Sequence, residues 1–269
     1  CEVPWWPSKV SPRADAKLVH IAPDPFFNRY PVRGFTMDLA LAGSSTLALE
    51  MLEAALEASC ADKQTAIASR QKTLRSISSA RAAKQKELVE SVAKRSPLHP
   101  AWIAQCLNEV ITADTIIVNE MGVPLEFLNL SQPRSYLSSS LAGGLGFGLG
   151  AALGAKIGAR AKNVILIVGD GSYMFGCPTA AHHTASMHQL PTTTLVMNNA
   201  RWNAVHRSTL GMYPDGLASQ EELMPLVSLG TSPEYQDIMK ACGGHGEKVS
   251  DPALLPAALK RCLEANAKG

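Results

Sequence analysis

The sequence predicts an α/β protein: a doubly wound, mostly parallel sheet with helices on both faces, preceded by the tail of a second α/β domain. Three observations predict it. Val164-Ile165-Leu166-Ile167-Val168 and Thr194-Leu195-Val196-Met197 are short apolar runs of β-formers, the pattern of parallel strands covered on both sides. The segment between them has room for one crossover helix, which makes the strands parallel and brings their carboxyl ends to one edge. Each run then ends in polar residues, Gly169-Asp170-Gly171-Ser172 and Asn198-Asn199, at the edge where open α/β sheets bind ligands.

In chain order, Lys17 to Ile21 is a short strand stopped by Ala22-Pro23-Asp24-Pro25, because proline cannot pair in a ladder. Met37 to Ala42 is a second strand. Gly43-Ser44-Ser45 caps a helix from Thr46 to Ala58, with Leu47, Leu49, Met51, Leu52 and Leu56 as candidate core positions. These residues, 1–58, form a unit too small to fold alone. Residues 59–96 shift to alanine, serine, lysine and arginine, opposed only by Asp62, Glu87 and Glu90, and read as a solvated helical linker.

Residues 97–269 form the main domain. Ser96-Pro97-Leu98-His99-Pro100 opens a helix over Ala101 to Val110 that shows Trp102, Ile103, Cys106 and Leu107 on one face. Thr115 to Val118 is the first strand of a new sheet and delivers Asn119-Glu120-Met121-Gly122 at its carboxyl end. A glycine-rich run, Gly143 to Gly150, leads into an alanine-rich helix. Near the carboxyl terminus come a helix over Tyr235 to Cys242, a glycine turn, a strand over Glu247 to Ser250 and a last helix over Ala253 to Ala265.

Composition narrows the function. The 269 residues are 46% hydrophobic with a formal net charge of +2, which calls for neither nucleic acid nor an anionic membrane as partner. The basic linker lacks aromatic residues on which bases could stack. Six cysteines (Cys1, Cys60, Cys106, Cys177, Cys242, Cys262) form no CxxC pair, which points to a reduced, cytoplasmic chain. The longest uncharged apolar run, Leu141 to Ala155, falls short of the ~20 residues that span a bilayer. The chain starts at Cys1 without an initiator methionine and reads as a piece of something longer.

Asp170, the Asn199 amide and free backbone carbonyls are hard oxygen donors, suited to Mg²⁺ or Ca²⁺ rather than Zn²⁺. Magnesium commonly completes its shell with water and phosphate oxygens, and Gly169, Gly171 and Ser172 lie where amides at a helix start could cradle a phosphate. His182, His183 and His188 lack the spacing and companions of a zinc set and read as surface or subunit-contact residues. Gly146-x-Gly148-x-x-Ala151 fits a loose dinucleotide fingerprint but follows a polar, serine-rich stretch instead of an apolar strand.

GDGS at 169–172 with NN at 198–199, each behind a buried strand, resembles the thiamin diphosphate (ThDP) signature of the pyruvate decarboxylase, benzoylformate decarboxylase and acetolactate synthase superfamily. The resemblance is strong from Pro97 onward and weaker before it. It implies Mg²⁺ held by Asp170, Asn199 and the Arg201 carbonyl. It also implies ThDP contacts at Glu120, Gly122, Gly143, Gly144, Leu145, Gly169, Gly171, Ser172, Tyr173, Asn199, Arg201 and Trp202. Gly143 to Leu149 resembles the family stretch whose bulky residue, here Leu145, props the cofactor into a V. Gly122 and Val123 stand where benzoylformate decarboxylase has hydroxyl residues, so contact there would be through amides. Ala204 and Val205 match positions that line the substrate pocket in benzoylformate decarboxylase. His206 could serve as a proton donor or carboxylate anchor, or is a polar loop residue.

The expected activity is decarboxylation or carboligation of a small 2-keto acid by a homodimer or homotetramer with active sites shared between subunits. The activating glutamate of the family lies on a pyrimidine-binding domain that nothing here matches, so the fragment alone is expected to be inactive. The alternative is a non-catalytic ThDP-binding or assembly subunit completed by a partner chain; an NAD dehydrogenase is a third reading. Leu18 to Val32, followed by Asp38 to Leu52, resembles the closing part of the family's central domain, which carries FAD or a nucleotide in some members. Asp24 then either meets a ribose or caps a turn. In the family a last strand usually follows the final helix, and the sequence stops at Gly269 without it, so either the sheet is expected to be short of an edge partner or the chain is expected to continue.

Overall fold

The computed structural model describes residues 10–28, 35–138, 144–221, 224 and 226–268. Pro4-Trp5-Trp6-Pro7, Tyr30-Pro31-Val32 and Gly143 lie outside the described residues. The chain divides into two compact units, Cys1–Ser79 and Ala80–Gly269.

In the first unit, β1 (Val19–Ala22) and β2 (Leu39–Ala42) pair in parallel. Helix α1 (Ser45–Ser59) is capped by the Ser44 side chain, which accepts from Leu47 N at 3.5 Å. Its expected core does not form. Leu47, Leu49, Met51, Leu52 and Leu56 are all exposed, from 43% to 73%. The periodicity is right, but two short strands present too little surface to cover a helix face. Helix α2 (Gln64–Val92) buries only Val92, and the division between the two units, after Ser79, falls inside it rather than at residues 58 and 96.

The second unit is built on one parallel sheet. Helix α3 (Pro100–Asn108) starts at His99, whose Nδ1 accepts from Ala101 N, with Pro100 in the first turn where its missing N–H costs nothing. Strand β3 (Thr115–Glu120) follows, then β4 (Tyr136–Ser138), helix α4 (Phe147–Gly158) and strand β5 (Asn163–Gly169). Two short helices, α5 (Asp170–Phe175) and α6 (Pro178–Met187), lead to β6 (Thr193–Met197). Helices α7 (Asn203–Met212), α8 (Leu217–Gln220), α9 (Tyr235–Ala241) and α10 (Leu255–Lys268) complete the chain.

Strand order is β4-β3-β5-β6, all parallel. From β3 the chain goes first to one side and then to the other, so the topological switch point lies between β3 and β5. Alternate residues of these two strands feed two cores. Ile117, Ile165 and Ile167 meet α3 and α10 on one face, while Val118, Val164, Leu166 and Val168 meet α4 on the other. Fully burying such side chains stabilises by roughly 1.5–3 kcal/mol each, which makes β3 and β5 the rigid platform of the unit.

Three expectations change. The polar stretch 136–138 is strand β4, paired at the sheet edge, where one side need not be apolar. One crossover helix becomes two, because Gly176, Cys177 at φ 53° and Pro178 cannot continue a helix. Residues 247–250 form no strand and do not join the sheet, which ends at β6 among the described residues. A cavity of about 1930 Å³ lies along β6, between it, residues 246–250 and α10.

Candidate functional site

The tips of β5 and β6 meet. Gly169 stands opposite Met197 in the ladder, so Asp170 emerges beside the turn that starts at Asn198. The Asp170 carboxylate is 1% exposed. Its Oδ1 accepts from Gly171 N at 2.9 Å, and its Oδ2 accepts from Ala200 N at 2.7 Å and Asn199 N at 3.2 Å. Asn199 is exposed, its Oδ1 accepts from Arg201 N at 3.1 Å, and the Arg201 carbonyl accepts from Asn203 N at 2.9 Å. The turn is braced from outside. Trp202 N donates to Val227 O, Leu229 N donates to Ala200 O, and Arg201 bridges Ser228.

Gly171 belongs here for steric reasons. A Cβ on it would lie 2.5 Å from the Trp202 ring, so Trp202 lies directly over the turn that carries Asp170. Ser172 is buried with it. The Tyr173 side chain turns the other way: its hydroxyl shares a 2.8 Å hydrogen bond with His182 Nε2, and its ring packs edge-on against Tyr235. Tyr173 is among the residues expected at the cofactor; its side chain, large and mostly apolar, packs toward the core. His182, expected on the surface, is 4% exposed, and burial lowers its pKa.

Across the switch point, the tip of β3 holds the glycine-rich turn. Glu120 is 2% exposed, with Oε1 accepting from Gly146 N at 2.6 Å and Oε2 from Gly148 N at 2.7 Å. Both oxygens therefore face the start of α4, where the carboxylate caps the helix. The amides of Gly122 and Val123 donate to Asn119 Oδ1 at 3.0 and 3.3 Å, which turns them toward the strand. Leu145 and Gly144 sit at the exposed crest of the turn, Leu145 at 37% exposure. Ala204, Val205 and His206 lie in the first turn of α7, next to Trp202, with His206 N donating to Trp202 O.

The sequence places Asn119 at the carboxyl end of its strand without a role; its amide also donates to Val123 O and Tyr136 Oη. Sequence reasoning missed Ser232, whose hydroxyl donates to Asn198 Oδ1, because a lone serine carries no periodicity or motif. Asp24 is settled by contact. Both its oxygens accept from Asn28, so it caps its turn. His245, Glu247 and Cys262 come within 4.8 Å of one another among the described residues, but Arg261 binds both oxygens of Glu247 in an ion pair.

The donor set fits a hard divalent cation. Asp170 is a buried carboxylate with three amide donors, and no Lys, Arg or His among the described residues pairs with it. Burying a charge without a counter-charge is costly, and a cation bound beside it would remove that cost. The Asp170, Asn199 and Arg201 oxygens each carry lone pairs beyond the hydrogen bonds they accept, and all arise from one pair of adjoining turns.

Residues 121–269 match the family model described as "Thiamine pyrophosphate enzyme, C-terminal TPP binding domain". A probable acetolactate synthase of Mycobacterium bovis is 32% identical over 185 residues, which cover 67% of this chain and 32% of that protein. A sulfoacetaldehyde acetyltransferase of Alcaligenes xylosoxydans xylosoxydans is 24% identical over 188 residues, covering 66% and 30%. Among solved structures, the thiamine diphosphate-dependent 4-hydroxybenzoylformate decarboxylase of Rhodococcus jostii RHA1 superposes with a TM-score of 0.54 at 26% identity, covering 64% of this chain and 31% of that one. The chain spans about a third of the length of the curated relatives it matches.

Proposed function

Because the chain belongs to the thiamine pyrophosphate enzymes through their C-terminal TPP binding domain, we propose that it is the diphosphate-binding part of a Mg²⁺-dependent enzyme acting on 2-keto acids. The observation that carries this is the buried Asp170 carboxylate, gripped by the neighbouring strand's turn and left without a protein cation among the described residues. Asp170, the Asn199 amide oxygen and the Arg201 carbonyl hold the metal that carries the diphosphate, beside the Gly169 to Ser172 turn. When bound, thiamin diphosphate supplies the nucleophilic carbon and electron sink that loss of CO₂ from a 2-keto acid requires.

The chain's own residues position that cofactor and shield the site. Leu145 supports the ring side from the crest of its turn. Trp202 covers the turn at Gly171, and Ala204 and Val205 line the substrate side. His206 anchors the substrate carboxylate or holds a proton near it. The reaction is a decarboxylation or an acetolactate synthase-like carboligation, in a cytoplasmic homodimer or homotetramer whose partner subunit contributes to each site. The five free cysteines among the described residues fit a reducing compartment. No helix of the described residues is long and apolar enough to cross a membrane.

Calorimetry of ThDP binding with and without Mg²⁺ tests this on Asn199→Ala, which removes a metal ligand but keeps the Asn199 amide on Asp170. Affinity should fall by at least the roughly 10–100-fold seen when an outer-shell partner is lost. Unchanged Mg²⁺-dependent affinity would remove Asn199 from the site and with it the metal assignment. Product analysis of the intact protein with pyruvate and with benzoylformate separates carboligation from decarboxylation.

A further inference from the structure

The ligand arrangement at Asp170 accounts for the diphosphate end of the cofactor, but it leaves open what holds the turn carrying Leu145 in register with it. We propose that Glu120 is a positioning residue that does not touch the cofactor: its carboxylate clamps the amides of Gly146 and Gly148 and so fixes the Leu145 turn relative to the diphosphate site. The inference rests on the ThDP reading above and assigns Glu120 a role different from the cofactor contact that its place after β3 suggested.

Glu120 is the last residue of β3, and Val168, its partner in the ladder, lies two residues before Asp170. Its side chain thus starts from the same rigid platform that carries the metal ligands. The two oxygens then reach the cap and second residue of α4, at 2.6 and 2.7 Å, where unpaired amides and the helix dipole favour an anion. No Lys, Arg or His among the described residues pairs with this carboxylate. Each oxygen is held on an amide of the α4 turn and the group is 2% exposed, so the carboxylate is directed at that turn.

The glycines report the same clamp. A side chain at Gly148 would force its neighbours to shift, since a Cβ would lie 2.7 Å from Glu120 Oε2 and 2.7 Å from Leu166 Cδ1. Gly146 has φ 84°, and a Cβ there would lie 2.8 Å from the Gly176 backbone, just past the end of α5. The turn is therefore pinned on two sides, by Glu120 from β3 and by close backbone contact with the helix that begins at Asp170. Leu145, between Gly144 and Gly146, is the side chain this pinning sets in place.

The test uses the intact protein and two probes, inorganic diphosphate and ThDP, each titrated calorimetrically with Mg²⁺. Glu120→Gln puts an NH₂ against an amide N–H and releases one side of the clamp. Diphosphate affinity should stay within about threefold of the unaltered protein, while ThDP affinity falls by roughly tenfold, the scale of one charged hydrogen bond. Gly148→Ala, which pushes the carboxylate aside without altering its charge, should reproduce that split and serves if the first variant does not fold. Equal loss for both probes would overturn the proposal in favour of direct diphosphate contact or general collapse, and unchanged ThDP affinity would overturn it outright. If the unaltered protein bound neither probe in a Mg²⁺-dependent way, the ThDP reading itself would fail, a result distinct from loss of the split.

Discussion

Gly171 and Gly144 both sit in glycine-bearing turns of the candidate site, and their surroundings separate them. A Cβ on Gly171 meets the Trp202 ring at 2.5 and 2.6 Å, and the Trp202 backbone is held by Val227 O, so the ring has little freedom to retreat. A Cβ on Gly144 would meet nothing within 4 Å among the described residues beyond its chain neighbours. Gly171→Ala should therefore lower unfolding free energy in urea by about 1–3 kcal/mol, the usual cost of overpacking. Gly144→Ala should stay within about 0.5 kcal/mol. Trp202→Leu in the Gly171→Ala background should recover part of the loss, and strictly additive effects would show that the ring is not the obstacle. Both glycines look alike in the sequence. Only the neighbour that folding brings to each decides which one is constrained.

At the scale of elements, the helices that cover the sheet are joined by contacts far apart in the chain. Trp102 of α3 donates from Nε1 to Pro252 O, 3.1 Å away, just before α10 begins. The two helices share the core cluster of Ile103, Leu107, Leu255 and Leu259. Trp102→Phe keeps most of the apolar contact and removes that bond, so it should cost about 1 kcal/mol in a denaturant midpoint measurement without changing the slope. A changed slope would mean that more than one bond was lost. Element type was readable wherever a period was long or a cap was present: α1 behind Ser44, α3 behind His99 and Pro100, β5 as an unbroken apolar run. Strand β4, polar and three residues long, gave no such signal. Whether the apolar stripe of α1 would be buried was also unreadable, because a stripe states a preference and the opposing surface grants it.

For the second unit as a whole, acid stability should depend on the buried pair Tyr173 and His182 between the sheet and α6. Burial holds His182 below the ordinary histidine pKa of about 6.5, so the folded protein keeps it neutral where the unfolded chain would take up a proton. Its contribution is complete above about pH 6.5 and is lost as pH falls below that value. Thermal midpoints followed from neutral pH down through that range should decline, and His182→Gln, which keeps an acceptor for the Tyr173 hydroxyl, should flatten the decline. An identical slope in the variant would place the acid sensitivity elsewhere. The same burial raises the Tyr173 hydroxyl to about 12, which keeps it a hydrogen-bond donor at every pH of interest.

The sequence by itself determined the parallel sheet, its ligand-bearing edge and the pairing of an acidic turn at Asp170 with an amide turn at Asn199, because these follow from runs of neighbouring residues: apolar stretches, glycines and the polar groups that end them. Tertiary structure alone decided which way each side chain faces. Glu120 and Tyr173 stand in stretches that resemble cofactor contacts, yet one caps a helix and the other enters the core. Their direction depends on Gly146, Gly148 and His182, residues brought close by the crossing of α4 and α6 over the sheet. Local composition carries no information about partners that meet only when distant segments pack.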